Sequence, residues 1–203
     1  MALEISAAFW HDKIAMLEIC PSPSECLKLM AQHQMLPNIR EHSLRVTGVA
    51  LRLGEALVQS GVSLNLPLLE AGALLHDIAK TSCLKNGGDH AQIGAEWLQN
   101  YGYPAVAEII RQHVYLPDQV LESPRIREAE VVNYADKRVM HTQVVSLKTR
   151  FADLQARYGR NAPARQRITA IKRRTVRLED KIFAPLSLTP PDLLELNDLR
   201  RAL

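Results

Sequence analysis

The sequence is poor in several features that hold other small proteins together. Aromatic residues make up 5% of its 203 positions, and cysteine occurs three times, as Cys20, Cys26 and Cys83. An odd number with no C-x-x-C pair suggests neither a disulfide framework nor a zinc ribbon, so the three read as reduced, intracellular thiols. No stretch reaches the roughly 18 to 20 uninterrupted apolar residues of a membrane span. The opening segment MALEISAAFWHDKIAMLEIC is broken by Glu4, His11, Asp12, Lys13 and Glu18, and it lacks the charge order of a secretory signal. There is no internal repeat, no low-complexity tract and no convincing strand or hairpin pattern. Together these gaps lead to the expectation of an all-α, cytoplasmic chain without membrane contact.

What is present supports helices. Hydrophobic residues account for 47% of the chain, and its Leu, Ala, Arg and Glu usage favours helix by intrinsic propensity. Net charge is only +3, yet residues 148–181 hold 11 Lys+Arg against 3 Asp+Glu, so the remainder is net acidic. Such a stretch suits a nucleotide, a nucleic acid or an acidic neighbour. It equally suits a solvated helical face, which is preferred here.

Ser22-Pro23-Ser24-Glu25 has capping-box form and predicts a short helix ended by Pro37. Asn38-x-x-Glu41 opens the next, with His42, Val46, Val49, Leu53 and Leu57 on one face. After Ser60-Gly61, Asn65-x-Pro67 opens LLEAGALLHDIAK as a single helix. Lys85-Asn86-Gly87-Gly88 is a loop, with Asp89 as the cap of a helix that Gly102 closes. Pro104 heads AVAEIIRQHVYL, and Ser123-Pro124 precedes one long helical pattern running to Gly159. Ile168, Ile171, Leu178 and Ile182 mark an amphipathic helix, and Thr189-x-x-Asp192 caps a last short one. The expected organisation is N-terminal helices over 1–36, a core over 37–140 and a basic helical extension over 141–203, packed on or beside the core. The amphipathic helix could serve a homodimer as readily as its own bundle.

Six residues of metal-ligand type fall at inward-facing places: His42, His76, Asp77, His90, His113 and Asp136. Buried imidazoles and carboxylates are costly unless paired or bound to metal, so this much polarity in a helical core suggests one shared partner. Mixed imidazole and carboxylate ligands suit divalent Fe, Mn, Co, Ni or Zn. Six ligands exceed one tetrahedral site, and a bridging Asp77 with two ions is the natural inference. His11 and His33 lie outside the pattern, and His141 lies too far round its helix from Asp136 to join it.

The motifs HS-x-x-V at His42, HDIAK at His76, H-x-x-x-GA at His90, I-x-x-H ending at His113 and ADK at Asp136 resemble the HD-domain metal-dependent phosphohydrolase superfamily. The two extra histidines make the chain similar to its two-metal branch, which includes symmetrical diadenosine tetraphosphate hydrolases. The resemblance implies an HD-domain helical bundle that cleaves a phosphate ester or anhydride of a nucleotide-like substrate. His42, His76, Asp77 and Asp136 would hold one metal, and Asp77, His90 and His113 the second. Water activated as hydroxide between the cations would be the nucleophile. Lys80, at i+4 from His76, would stabilise phosphate charge, and Arg45 and Arg138 are weaker candidates for substrate contact. A dinucleoside tetraphosphate substrate is one alternative. A non-catalytic nucleotide-sensing or RNA- or protein-binding module is another, less favoured because the ligand set is intact.

Overall fold

The computed structural model describes residues 20–202, with side chains to residue 198. Expectations for residues 1–19, including His11, lie outside the described residues. The fold is all-α apart from one very short hairpin. In order the elements are α1 (Pro23–Gln32), α2 (Pro37–Gln59), α3 (Leu66–Leu75), α4 (Lys80–Asn86), α5 (His90–Asn100) and α6 (Pro104–Gln112), then α7 (Asp118–Glu122) and α8 (Glu128–Arg138). The hairpin strands β1 (Val139–Met140) and β2 (Gln143–Val144) follow. The described chain ends with α9 (Leu147–Tyr158), α10 (Ala162–Phe183) and a 3-10 segment, Pro190–Ala202.

Local chemistry explains most of the boundaries. Ser22 and Glu25 form the reciprocal capping box of α1. Asp89 accepts from the Ala91 and Gln92 amides at the head of α5, and Asn161 accepts from Ala164 at the head of α10. Proline occupies the first turn of α1, α2, α3, α6 and α10, where a missing amide hydrogen costs nothing. Gly102 closes the turn before α6 at φ +83°, a conformation that favours glycine.

Three expectations are corrected. The first helix does not run to Pro37; it stops at Gln32, and the turn beyond it passes through Gln34 at φ +51°. Pro37 instead opens α2. LLEAGALLHDIAK is not one helix, because α3 ends at Leu75. Bonds from Ile78 N to Leu75 O and from Lys80 N to Asp77 O tighten the chain into a 3-10-like turn before α4. The long helix expected before Gly159 is interrupted after Arg138 by the hairpin, in which Val139 pairs with Val144 and Met140 with Gln143. β-Branched valines favour that extended stretch, and His141 takes the positive φ of +56° that its two-residue turn requires.

Two apolar clusters fill the molecule. One packs α1 against α3, α5 and α6 through residues such as Met30, Leu75, Ile78, Leu98 and Ile110. The larger joins α2, α3 and α8 to Leu147, Phe151, Leu178, Ile182 and Leu193, so the segment beyond residue 140 shares the central core. Ile168 and Ile171 pack on its edge, which explains the periodicity of α10. No helix among the described residues is long and apolar enough to cross a membrane.

α3 lies close enough to α6 that a Cβ on Gly72 would stand 2.7 Å from Ile109 Cγ2. Because that methyl sits on a stiff β-branched side chain, relief requires the helices to separate. Overpacking of this kind costs about 1–3 kcal/mol, and replacing a helical glycine returns up to about 1 kcal/mol. Gly72→Ala is therefore expected to lower stability by a net 1 kcal/mol or so, measured as a reduced urea midpoint with an unchanged slope.

Candidate metal centre

Six ligand-type side chains converge where α2, the α3–α4 turn, α5, the end of α6 and α8 meet. Five of them are buried, and His90, at the first residue of α5, is partly exposed. His42 Nε2 lies 3.0 Å and His76 Nε2 3.8 Å from Asp136 Oδ1. Asp77 Oδ1 lies 3.3 Å from His90 Nε2 and 3.7 Å from His113 Nε2, and the two imidazole nitrogens are 3.2 Å apart. Asp77 Oδ2 is 3.4 Å from His76 Nε2 and 2.7 Å from Lys80 Nζ. The donors thus form two groups able to hold a metal, His42-His76-Asp136 and Asp77-His90-His113.

Backbone carbonyls aim three of the four imidazoles. His76 Nδ1 donates to Ala73 O at 2.8 Å, His113 Nδ1 to Ile110 O at 2.6 Å and His42 Nδ1 to His141 O at 2.9 Å. Each bond fixes the tautomer that leaves Nε2 as a bare lone pair directed inward, the arrangement a metal ligand needs. His76 and His113 obtain their carbonyls from the last turns of α3 and α6, where helix-end carbonyls lack the full ladder of i+4 amides, and Ile110 O also accepts from His113 N. Asn133 Nδ2 in turn donates to Gln112 O and His113 O, and Lys137 Nζ donates to His113 O, so α8 holds the end of α6 in place.

The donor set fits a metal. His76 Nε2 is fully buried and has no hydrogen-bond partner, an expensive state for an imidazole lone pair. The separations of 3.0–3.8 Å are close to the roughly 3.0–3.5 Å between ligand atoms that each stand about 2.0–2.2 Å from a shared ion. Burial opposes ionisation of Asp77, but the electrostatic influence of His76 and of the facing His113 and His90 imidazoles prevails and holds its carboxyl well below the usual range. Asp136 is likewise held low against burial, through Lys137, His42 and His76. Burial also opposes charge on Lys80, yet Asp77 and Asp136 raise its pKa, so it remains an ammonium.

The other predicted residues are placed as follows. Lys80 reaches the cluster, paired with Asp77 rather than standing over His76, because the 3-10-like turn eclipses positions three apart. Arg45 Nε donates to Thr142 O and its guanidinium to Leu196 O, which ties the hairpin turn to the 3-10 segment. Arg138 is turned into the core and is 1% exposed. It donates to Val145 O, the Tyr134 hydroxyl and Pro190 O, with Glu179 at 3.4 Å. Its donors are engaged inside the protein. His33 stacks on Trp97 at 4.1 Å, away from the cluster.

Two contributors escaped sequence reasoning. Lys137 Nζ lies 2.7 Å from Asp136 Oδ2, leaving Oδ1 to the imidazoles; its place in the ADK motif is the signal that could have found it. The His141 carbonyl carries no sequence signal, since any residue supplies one.

The family model for the HD domain matches residues 39–140. The chain belongs to the HD domain family. That family is one of metal-dependent phosphohydrolases, and the convergent ligands agree with membership. An uncharacterised protein of Methanocaldococcus jannaschii is 28% identical over 143 residues, 64% of this chain and 83% of that one. Ribonuclease Y of Fervidobacterium nodosum is 34% identical over 99 residues, 49% of this chain. A tRNA (cytidine(56)-2'-O)-methyltransferase of Picrophilus torridus is 26% identical over 157 residues, 68% of this chain. The match spans only 17% of the ribonuclease and 41% of the methyltransferase. No solved structure matches the chain.

Two outcomes follow from this geometry. Arg138→Met should reduce stability by about 2–3 kcal/mol, because Val145 O and Pro190 O each lose the donor that satisfies them. The variant's metal content, measured by plasma mass spectrometry, should equal that of the parent, whereas a ligand variant such as His76→Ala should lose metal. The second outcome concerns pH. Burial disfavours protonation of His76, but Asp77 and Asp136 overcome it and raise its pKa above the ordinary histidine value. A proton on Nε2 must leave before a metal binds, so affinity is expected to fall as pH drops through the histidine range. Competition titrations with a chelating dye at pH 8 and pH 6 should show binding weaker at pH 6 by on the order of tenfold or more.

Proposed function

We propose that this HD domain hydrolyses a phosphate ester or anhydride of a nucleotide-like substrate at a centre of two divalent transition-metal ions. The observation that carries the reading is the orientation of Asp77. One carboxylate oxygen faces His90 and His113 while the other faces His76, so a single side chain borders both ligand groups. His42, His76, Asp77 and Asp136 would hold the first ion, and Asp77, His90 and His113 the second. Bound there, divalent Fe, Mn, Co, Ni or Zn supplies Lewis-acid neutralisation of phosphate oxygens and lowers the pKa of water.

The chain's own residues do the rest. The backbone-anchored imidazoles keep their lone pairs in place without reorganisation, a condition for electrostatic stabilisation in a buried site. Lys80 keeps its charge beside Asp77 and is 40% exposed along its side chain, so its ammonium can meet both the centre and an entering phosphate. The partly exposed edges of His90 and Lys80 mark the open side of the cluster. A nucleophilic side chain is not needed.

A second reading, in which the nucleotide is part of an RNA, is favoured by the names of two relatives, a ribonuclease and a tRNA methyltransferase. Both readings share the same chemistry at the centre.

A panel of mononucleotides, cyclic dinucleotides, diadenosine tetraphosphate and short oligoribonucleotides tests them with Mn, Fe, Co, Ni and Zn supplied in turn. Phosphate-bond cleavage of at least one class is expected, abolished by His76→Ala with Asp77→Ala. Lys80→Met should lower kcat about 10²-fold with metal content unchanged. Full activity in the double variant, or purified protein that takes up no transition metal, would sink the proposal. Nucleotide binding that survives in a chain without turnover would mark a sensing module instead.

A further inference from the structure

α10 presents an unusually basic flank next to the segment that leaves the metal centre. Tyr115 lies two residues beyond His113, so their Cα atoms stand within about 7 Å of each other. Its side chain is exposed, with the residue 53% accessible, and one face of the ring is covered by Arg174 of α10, whose guanidinium carbon lies 4.6 Å from the ring centroid. Arg174 is itself anchored by Asp118 and Leu116 O. Arg167 stands almost directly in line with Arg174 along the helix, two turns earlier, and Arg173 and Arg177 lie within about 100° of it.

Arg167, Arg173 and Arg177 are exposed, and none of them forms an ion pair among the described residues. The nearby carboxylates Asp118 and Glu130 are already engaged, by Arg174 and Lys181 respectively. The adjoining face of α10, with Thr175, Leu178 and Ile182, is committed to the core. The outer flank thus offers unpaired cations spread over ten residues, about 15 Å of helix, that lead to an aromatic platform beside a metal ligand.

We propose that this flank binds a single-stranded oligonucleotide. The phosphates would track Arg167, Arg173 and Arg177, and a base would stack on Tyr115 near the metal centre. A groove of cations combined with an aromatic platform is the chemistry that holds a single strand, since every base has a face to stack and every nucleotide a charge. A rigid duplex keeps its bases stacked inside and cannot use the ring. The extended strand as substrate rests on the phosphohydrolase reading above, but the binding surface does not.

The test uses the full chain treated with chelator to prevent turnover. Binding of a fluorescein-labelled oligouridine of about 12 nucleotides is followed by anisotropy over a range of salt concentrations. The triple variant Arg167→Gln/Arg173→Gln/Arg177→Gln changes only exposed side chains, and its helical circular dichroism is checked against the parent. It should bind at least tenfold more weakly, with the salt slope reduced by about 2, near 0.7 for each phosphate no longer neutralised. Tyr115→Ala should weaken binding about fivefold or more with little change in slope. Unchanged affinity in both variants would overturn the proposal, as would equal binding of a duplex of the same length or of phosphatidylglycerol vesicles. Oligouridine binding that persists in a chain failing every hydrolysis assay overturns the phosphohydrolase reading and leaves the surface intact. Hydrolysis without oligonucleotide binding does the reverse.

Discussion

The arrangement depends on one constraint, that imidazole lone pairs must be held facing one another inside a helical core. Such groups repel and dehydrate, so the chain has to fix each ring from behind. It does so with backbone carbonyls bonded to Nδ1 of His42, His76 and His113. Two of these carbonyls, Ala73 O and Ile110 O, belong to the last turns of helices, where the i+4 ladder gives out. α3 ends at Leu75 and α6 at Gln112, in each case the residue before the imidazole, so each ring folds back onto the last turn of its own helix. The tight turn that breaks LLEAGALLHDIAK delivers Lys80 to Asp77.

Charge is balanced in the same small volume. Asp77 and Asp136 remain ionised in spite of burial because cationic and hydrogen-bond-donating neighbours face them, including Lys137, which is itself buried. Lys137 also reaches His113 O, so one ammonium links the two ligand groups. A buried lysine without those partners would be strongly unfavourable. The polar centre is sustained as a network, and its members cannot be exchanged singly without leaving another group unsatisfied.

Much of this was legible in the sequence, and the reasons are local. The caps at Ser22 and Asp89 rest on side chains that bond the nearest amides, so a few residues suffice to identify them. The spacing of Ile168, Ile171, Leu178 and Ile182 records one buried face, which the structure retains. The convergence of His42, His76, Asp77, His90, His113 and Asp136 was inferred from their polarity in apolar surroundings and from family motifs, and the fold gathers them in one place. What escaped depends on distant partners. The hairpin at Val139–Val144 is set by Asn197, which donates to Val144 O and accepts from Val144 N, and by Arg45 at Thr142 O. Arg138 was a weak candidate for substrate contact, and its burial is decided by Tyr134, Glu179 and Pro190, of which the last two lie more than forty residues away.

The family match ends at residue 140, and the next residue supplies the carbonyl that orients His42. The ligand geometry of the HD segment is therefore completed from outside it. His141 sits at the tip of a hairpin whose position depends on Arg45 from α2, while Arg45 and Asn197 connect that hairpin to the 3-10 segment. Loosening the extension would release the hairpin, and with it the tautomer of the first imidazole. The residues beyond 140 are thus part of the machinery that shapes the centre, which accounts for their sharing one apolar core with α2 and α8 instead of forming a separate unit.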